Sequence, residues 1–132
     1  MMVHIDDLIG QPFDPENREG YNCYGLCREV CRRMGIALPE RESPADPAER
    51  SDYIAASTQV YDKLDGPEPG CLVTFRVHPP YVSHVGVMLD THRFLHVMKK
   101  RHVCIERIDN PFWQKRIDGY YRYPDRHRHQ PV

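Results

Sequence analysis

The sequence predicts an α+β domain with helices near its start packed on a mostly antiparallel β-sheet. Three observations carry this expectation: a helix-period apolar stripe over residues 23–34, strand-length apolar runs filling the second half, and a three-residue link between two of those runs that suits a hairpin. Helical patterns come first and strand patterns after, the order of an α+β chain.

Residues 1–22 read as a short helix or turn from Ile5 to Ile9 and then a polar loop. The first helix follows. Cys23, Leu26, Cys27, Val30, Cys31 and Met34 recur at the spacing of one buried helical face. Asn22 is a suitable N-cap and Gly35 a suitable stop. Leu38-Pro39 closes this unit, and a charged stretch runs from Glu40 to Pro44. Asp46-Pro47-Ala48-Glu49 then supplies an N-cap, a proline at the first helical position and a capping-box glutamate, so a second helix is expected from there to about Leu64.

The turn Gly66-Pro67-Glu68-Pro69-Gly70 launches a strand from Cys71 to Val77. Two apolar runs, 83–89 and 93–98, flank Asp90-Thr91-His92 as a hairpin. A strand from Val103 to Glu106, an irregular stretch from Asp109 to Gln114 and a last strand from Gly119 to Tyr123 complete the domain. The expected organisation is a single domain over 1–124 and a mobile basic tail over 125–132.

Composition narrows the function. Eighteen basic residues stand against nineteen acidic ones, a balance that gives no reason to expect nucleic acid as the main partner. Met1 to Asp7 holds an acidic pair and no long apolar stretch, so neither a secretory signal nor membrane insertion is expected, and the chain is expected to be cytoplasmic as synthesised. Three of the five cysteines lie on one helix face, which suits burial beside a sheet better than a disulfide framework.

The chemistry centres on Cys23. In the first turn of a helix, free N–H groups and the positive end of the dipole favour thiolate, and such a cysteine becomes a nucleophile once a base is beside it. The base candidates are His84 and His96. Folding the hairpin about Asp90 sets them opposite one another, Cβ atoms about 5 Å apart, on the face that also carries Gly86, Met88, Phe94 and Met98. Gly86 leaves room there for another element to approach. With the Cys23 helix packed on that face, a thiol and two imidazoles fall in line as nucleophile, base and orienter.

These residues also carry a family resemblance. Asn22-Cys23-Tyr24-Gly25-Leu26, Gly35-Ile36-Ala37-Leu38-Pro39, Pro69-Gly70-Cys71-Leu72-Val73-Thr74-Phe75, His84-Val85-Gly86 and Phe94-Leu95-His96 follow one another as in the NlpC/P60 superfamily of papain-like cysteine peptidases. The closing stretch from Ile105-Glu106-Arg107 through Trp113 to Gly119-Tyr120-Tyr121-Arg122 resembles its phage tail-associated branch, and the resemblance covers roughly residues 8–123. It implies a thiol endopeptidase or amidase acting on the stem peptides of bacterial peptidoglycan, needing no cofactor, with Cys23 as nucleophile, His84 as general base and His96 as the polar residue that orients it. Phage tail proteins are the implied partners and the virion the implied destination. The pattern departs at three places: Asn22 and Cys71 stand where aspartates are usual, and Phe13 replaces an upstream tyrosine, for which Tyr21 or Tyr24 could substitute.

Two other classes stay open. Cys23, Cys27, His84 and His96 hold enough soft and borderline ligands for a zinc-binding domain, although an x₃ cysteine spacing inside a helix is unusual for one. A non-catalytic phage tail assembly module would keep the fold as scaffold. His127 and His129 in the tail read as solvated, as do His4, His78, His92, His102 and the Lys99-Lys100-Arg101 turn.

Overall fold

The computed structural model describes residues 3–124, so the expected tail, with His127 and His129, lies outside the described residues. The elements in chain order are α1 (Cys23–Arg33), α2 (Pro47–Ser57), a 3₁₀ turn (Thr58–Val60), β1 (Asp62–Leu64), β2 (Leu72–Phe75), β3 (His84–Met88), β4 (Arg93–His96), β5 (Cys104–Arg107), α3 (Pro111–Gln114) and β6 (Ile117–Arg122). The strands form one six-stranded sheet ordered β1-β6-β2-β3-β4-β5, every pair antiparallel. The α+β architecture is the expected one. No helix among the described residues is long and apolar enough to cross a membrane.

Helix α1 forms as its sequence dictates. The Asn22 side chain accepts from the Gly25 N–H at 2.7 Å, and Gly35 ends the helix at φ +85°, a conformation glycine adopts without strain. Its stripe, Leu26, Cys27, Val30 and Cys31, is fully buried. Helix α2 starts as expected, with Asp46 capping the Glu49 N–H at 3.0 Å ahead of Pro47. It does not run to Leu64. The Ser57 and Thr58 hydroxyls bond back to the Ile54 and Ala55 carbonyls, the helix tightens into the 3₁₀ turn, and Asp62 to Leu64 leave it to pair with Tyr120 to Arg122 on β6.

Two cores sandwich the sheet. Helix α1 packs on the face made by Leu72, Val85, Val87 and Leu95. The other face gathers Val73, Phe75, Met88, Phe94 and Trp113. His84 and His96 belong to this second face, where their rings meet Phe75, Phe94 and Trp113. The expectation that α1 covers the histidine face is therefore corrected: α1 covers the opposite one.

The hairpin register is corrected too. The Asp90 carboxylate accepts from the His92 and Arg93 N–H groups at 2.8 and 2.7 Å, and the Leu89 N–H donates to the Arg93 carbonyl at 2.9 Å. The fold centre is thus Thr91, pairing Val87 with Leu95 and Met88 with Phe94. Relative to the expected pairing this is a slip of two residues, which keeps both histidines on one face but makes them diagonal neighbours. The space at Gly86 is taken by β4 itself, since a Cβ there would press on the Phe94 ring, the Leu95 carbonyl and the His96 Cβ.

Candidate active site

Cys23 and His84 reach one cleft from the starts of two elements, not across the face of the sheet. His84 is the first residue of β3 and Cys23 the first of α1, and both line a cleft of about 680 Å³. Phe13, Ser43, His78, Val97 and the Lys99-Lys100 turn complete much of its wall. Among the described residues no carboxylate lines it. Cys23 is the one cysteine of the five that reaches it.

The loop before α1 is tied down so that Cys23 starts the helix in a fixed place. The Asp14 carboxylate accepts from the Glu16, Arg18 and Glu19 N–H groups. Asn17 accepts from the Asn22 N–H at 2.7 Å, and Asn22 donates to the Pro15 carbonyl at 3.1 Å. Gly25 is required by this arrangement, because any Cβ there would collide with the Asn17 side chain. Asparagine at position 22 thus caps the helix and holds the loop through its amide N–H, a donor that aspartate lacks.

From His84, on the wall of the same cleft, runs a hydrogen-bonded line of three side chains. His84 Nε2 lies 2.8 Å from His96 Nδ1, and His96 Nε2 lies 3.1 Å from Glu106 Oε2. The Glu106 carboxylate can only accept, so His96 carries its proton on Nε2 and presents a bare Nδ1. His84 must then donate from Nε2, which leaves its own Nδ1 as a lone pair. One carboxylate fixes both tautomers. Trp113 holds the two rings from the side, its centroid 4.8 Å from His96 at 88° and 6.0 Å from His84. Helix α3 delivers it, capped where the Asn110 side chain accepts from the Phe112 N–H.

Burial holds the His84 pKa well below the usual imidazole range, with His96, Arg50 and His78 adding to the effect. Burial also lowers His96, and the Glu106 carboxylate only partly opposes it. The free site therefore holds a neutral base, ready to accept a proton during reaction.

Sequence reasoning named Cys23, His84 and His96. The structure hydrogen-bonds the two histidines and brings His84 and Cys23 to one cleft, while the hydrogen-bonding partner of the Cys23 thiol is Ser43 Oγ at 3.9 Å. Neither proposed tyrosine lines that cleft. Tyr24 donates to the Pro39 carbonyl and meets the Tyr61 hydroxyl at 3.2 Å, and Tyr21 lies in a separate groove beside Asp7 and Glu19. Ser43 is the hydroxyl beside the thiol instead. Cys71 caps its turn, accepting from the Glu68 N–H at 3.5 Å, and burial pushes its thiol up to about 11. The four residues of the zinc reading are not gathered: Cys27 is wholly buried against the α1 face, its thiol raised by that burial, and the histidines occupy the other face.

Sequence reasoning missed Glu106, Ser43, Arg50 and the cleft role of His78 and the lysines. Arg50 braces the wall, donating to the Ser83, Pro44 and Ala45 carbonyls. His78 Nδ1 lies 3.1 Å from Ser83 Oγ. Glu106 could have been found by continuing the strand alternation from β4 to β5, which pairs Phe94 with Glu106 and His96 with Cys104.

The sequence signature of the NlpC/P60 family matches residues 10–122. Among solved structures, a NlpC/P60 family protein from Bacillus cereus ATCC 10987 aligns at a TM-score of 0.64 and 20% identity, covering 93% of this chain and 41% of that one. A protein from Staphylococcus aureus subsp. aureus Mu50, described as similar to lipoprotein, NLP/P60 family, gives 0.59 and 21%, over 89% and 38%. The P60 domain of an antigen from M. avium subspecies paratuberculosis gives 0.55 and 17%, over 89% and 87%. The chain spans about two fifths of the length of the first two. At these identities the likeness is one of fold. A comparison with curated proteins finds no match.

Proposed function

The chain belongs to the NlpC/P60 family, whose members are generally cell-wall peptidases, and from that premise we propose that it is a cysteine hydrolase of peptide or amide bonds in peptidoglycan stem peptides. The observation that carries this reading is the line Glu106–His96–His84 ending at the cleft it shares with Cys23. A scaffold has no physical need for a buried, tautomer-locked imidazole pair on the cleft that a helix-start cysteine also lines.

In the proposed mechanism His84 Nδ1 takes the Cys23 proton as sulfur attacks the scissile carbonyl carbon. The resulting imidazolium is stabilised through His96 by Glu106. It then returns the proton to the leaving amine as the thioacyl enzyme forms, and His84 next activates water to release the acid. The Cys23 N–H, at the helix start, faces the developing oxyanion, and Ser43 Oγ is the second donor beside it.

The finer reading places the protein in the phage tail-associated branch, synthesised in the cytoplasm and carried in the virion with other tail proteins. Its support is the resemblance of the stretch from Ile105 to Arg122. Flanking tail genes would support that reading, and flanking wall-synthesis genes would remove it.

The activity itself is tested on purified wall stem peptides. Cys23→Ala is expected to abolish hydrolysis with an unchanged melting curve; full activity in this variant would overturn the mechanism.

A further inference from the structure

Cys104 is the one cysteine at the surface, and the catalytic line does not use it. Register places it directly opposite His96, with Glu106 two residues further along the same face of β5. His96 Nε2, Cys104 Sγ and a Glu106 oxygen all lie within 4.8 Å of one another. Zinc bonds of ~2.0–2.3 Å to nitrogen, oxygen and sulfur set ligand atoms somewhat under about 4 Å apart, so the trio needs only a small rotamer adjustment to close. Imidazole, thiolate and carboxylate are the zinc donor set, and three protein ligands leave the fourth position to water. β5 is an edge strand and Glu106 is 31% exposed, so an ion can reach the site from solvent.

We propose that His96, Cys104 and Glu106 form an inhibitory site for zinc or a similar borderline divalent ion, separate from the nucleophile.

The inhibition follows from proton positions. An ion on His96 Nε2 displaces the proton held there and breaks the contact to Glu106, while Cys104 gives its thiol proton to solvent as the sulfur binds. Neutral His96 then carries its proton on Nδ1, pointing at His84. His84 Nε2 becomes the acceptor of that hydrogen bond, and the second proton of the pair moves to His84 Nδ1. The lone pair that would take the thiol proton is gone. Protonating His84 fully would set two N–H groups against each other across 2.8 Å. The ion thereby removes the base without touching Cys23.

The experiment uses the reduced full chain and two readouts. Cobalt(II) serves as the spectroscopic probe and should give a thiolate-to-cobalt absorption band that saturates at one equivalent, persists in Cys23→Ala and vanishes in Cys104→Ala. This arm reads the site whether or not the chain is a hydrolase. The second arm rests on that reading: zinc should slow iodoacetamide alkylation of Cys23, followed on its own peptide by mass spectrometry, at least tenfold. A chelator should restore the rate, and Cys104→Ala should react at the metal-free wild-type rate with or without zinc. A band that survives Cys104→Ala or disappears in Cys23→Ala overturns the proposal, as does equal slowing by zinc in wild type and Cys104→Ala.

Discussion

His84 Nε2 and His96 Nδ1 lie 2.8 Å apart on a buried diagonal of the β3–β4 hairpin, and the bond between them decides which nitrogen of His84 is left with a lone pair. His96 is 1% exposed and His84 5%, so water competes little for either ring. Their hydrogen bond runs in one direction because Glu106 claims the far proton of His96.

The two histidines should therefore fail differently. Only imidazole takes and returns a proton near neutral pH, so His84→Gln should remove nearly all turnover, by ~10²–10⁴-fold. His96 orients, and a glutamine or asparagine there can still accept from His84 Nε2. His96→Gln and His96→Asn should keep measurable activity in the same stem-peptide assay. A dead His96→Gln beside an active His84→Gln would reverse the two roles.

Much of this site could be read from sequence because its parts are local. The α1 stripe, its Asn22 cap and the Gly35 stop each act within a few residues. What escaped depends on partners far along the chain or on side chains at turns. Helix α2 stops where β1 finds β6, and the hairpin centre shifts because Asp90 caps two N–H groups. The face covered by α1 was not legible, since all of β3 from His84 to Met88 is buried and alternation gives no sign of which side meets a helix. Glu106 sits among exposed residues of an edge strand, where a carboxylate is unremarked until the register to His96 is known.

Glu106 should behave as a positioning residue. Glu106→Gln keeps an oxygen that can accept from His96 Nε2 but loses the charge behind the imidazolium, so activity should fall, though less than when the acceptor is removed. Glu106→Leu removes the acceptor and should lower kcat by ~10–100-fold, the range that outer orienting partners command. The discriminating readout is the pH profile of kcat/KM, whose acidic limb should move in Glu106→Leu. An unmoved profile with lower stability would make Glu106 merely structural.

The cleft carries Lys99 and Lys100 and, among the described residues, no carboxylate, so substrates bearing carboxylates are favoured. Exposed charges contribute about 0.2–1 kcal/mol each, and salt screens them. The double variant Lys99→Gln with Lys100→Gln should raise KM several-fold at low ionic strength, leave kcat unchanged and lose most of that effect at high salt. A salt-independent KM in the wild type would remove the electrostatic role.

Acid stability should report the same buried pair. Burial lowers the pKa of His84 and of His96, the former further through His96, Arg50 and His78, the latter opposed in part by Glu106. A lowered folded-state pKa means that the unfolded chain binds protons first as pH falls. Stability from these groups is therefore fully present above the unfolded imidazole value of about 6.5 and declines below it, until the folded-state values are passed. Urea midpoints measured from pH 7.5 downward should be flat at first and then fall from about 6.5 in the wild type. The fall between about 6.5 and 5 should be shallower in His84→Gln, because glutamine takes up no proton on unfolding; the carboxylates titrate mainly below that window. An identical slope in the two proteins would show that His84 protonates as readily folded as unfolded, and the neutral-base mechanism would go with it.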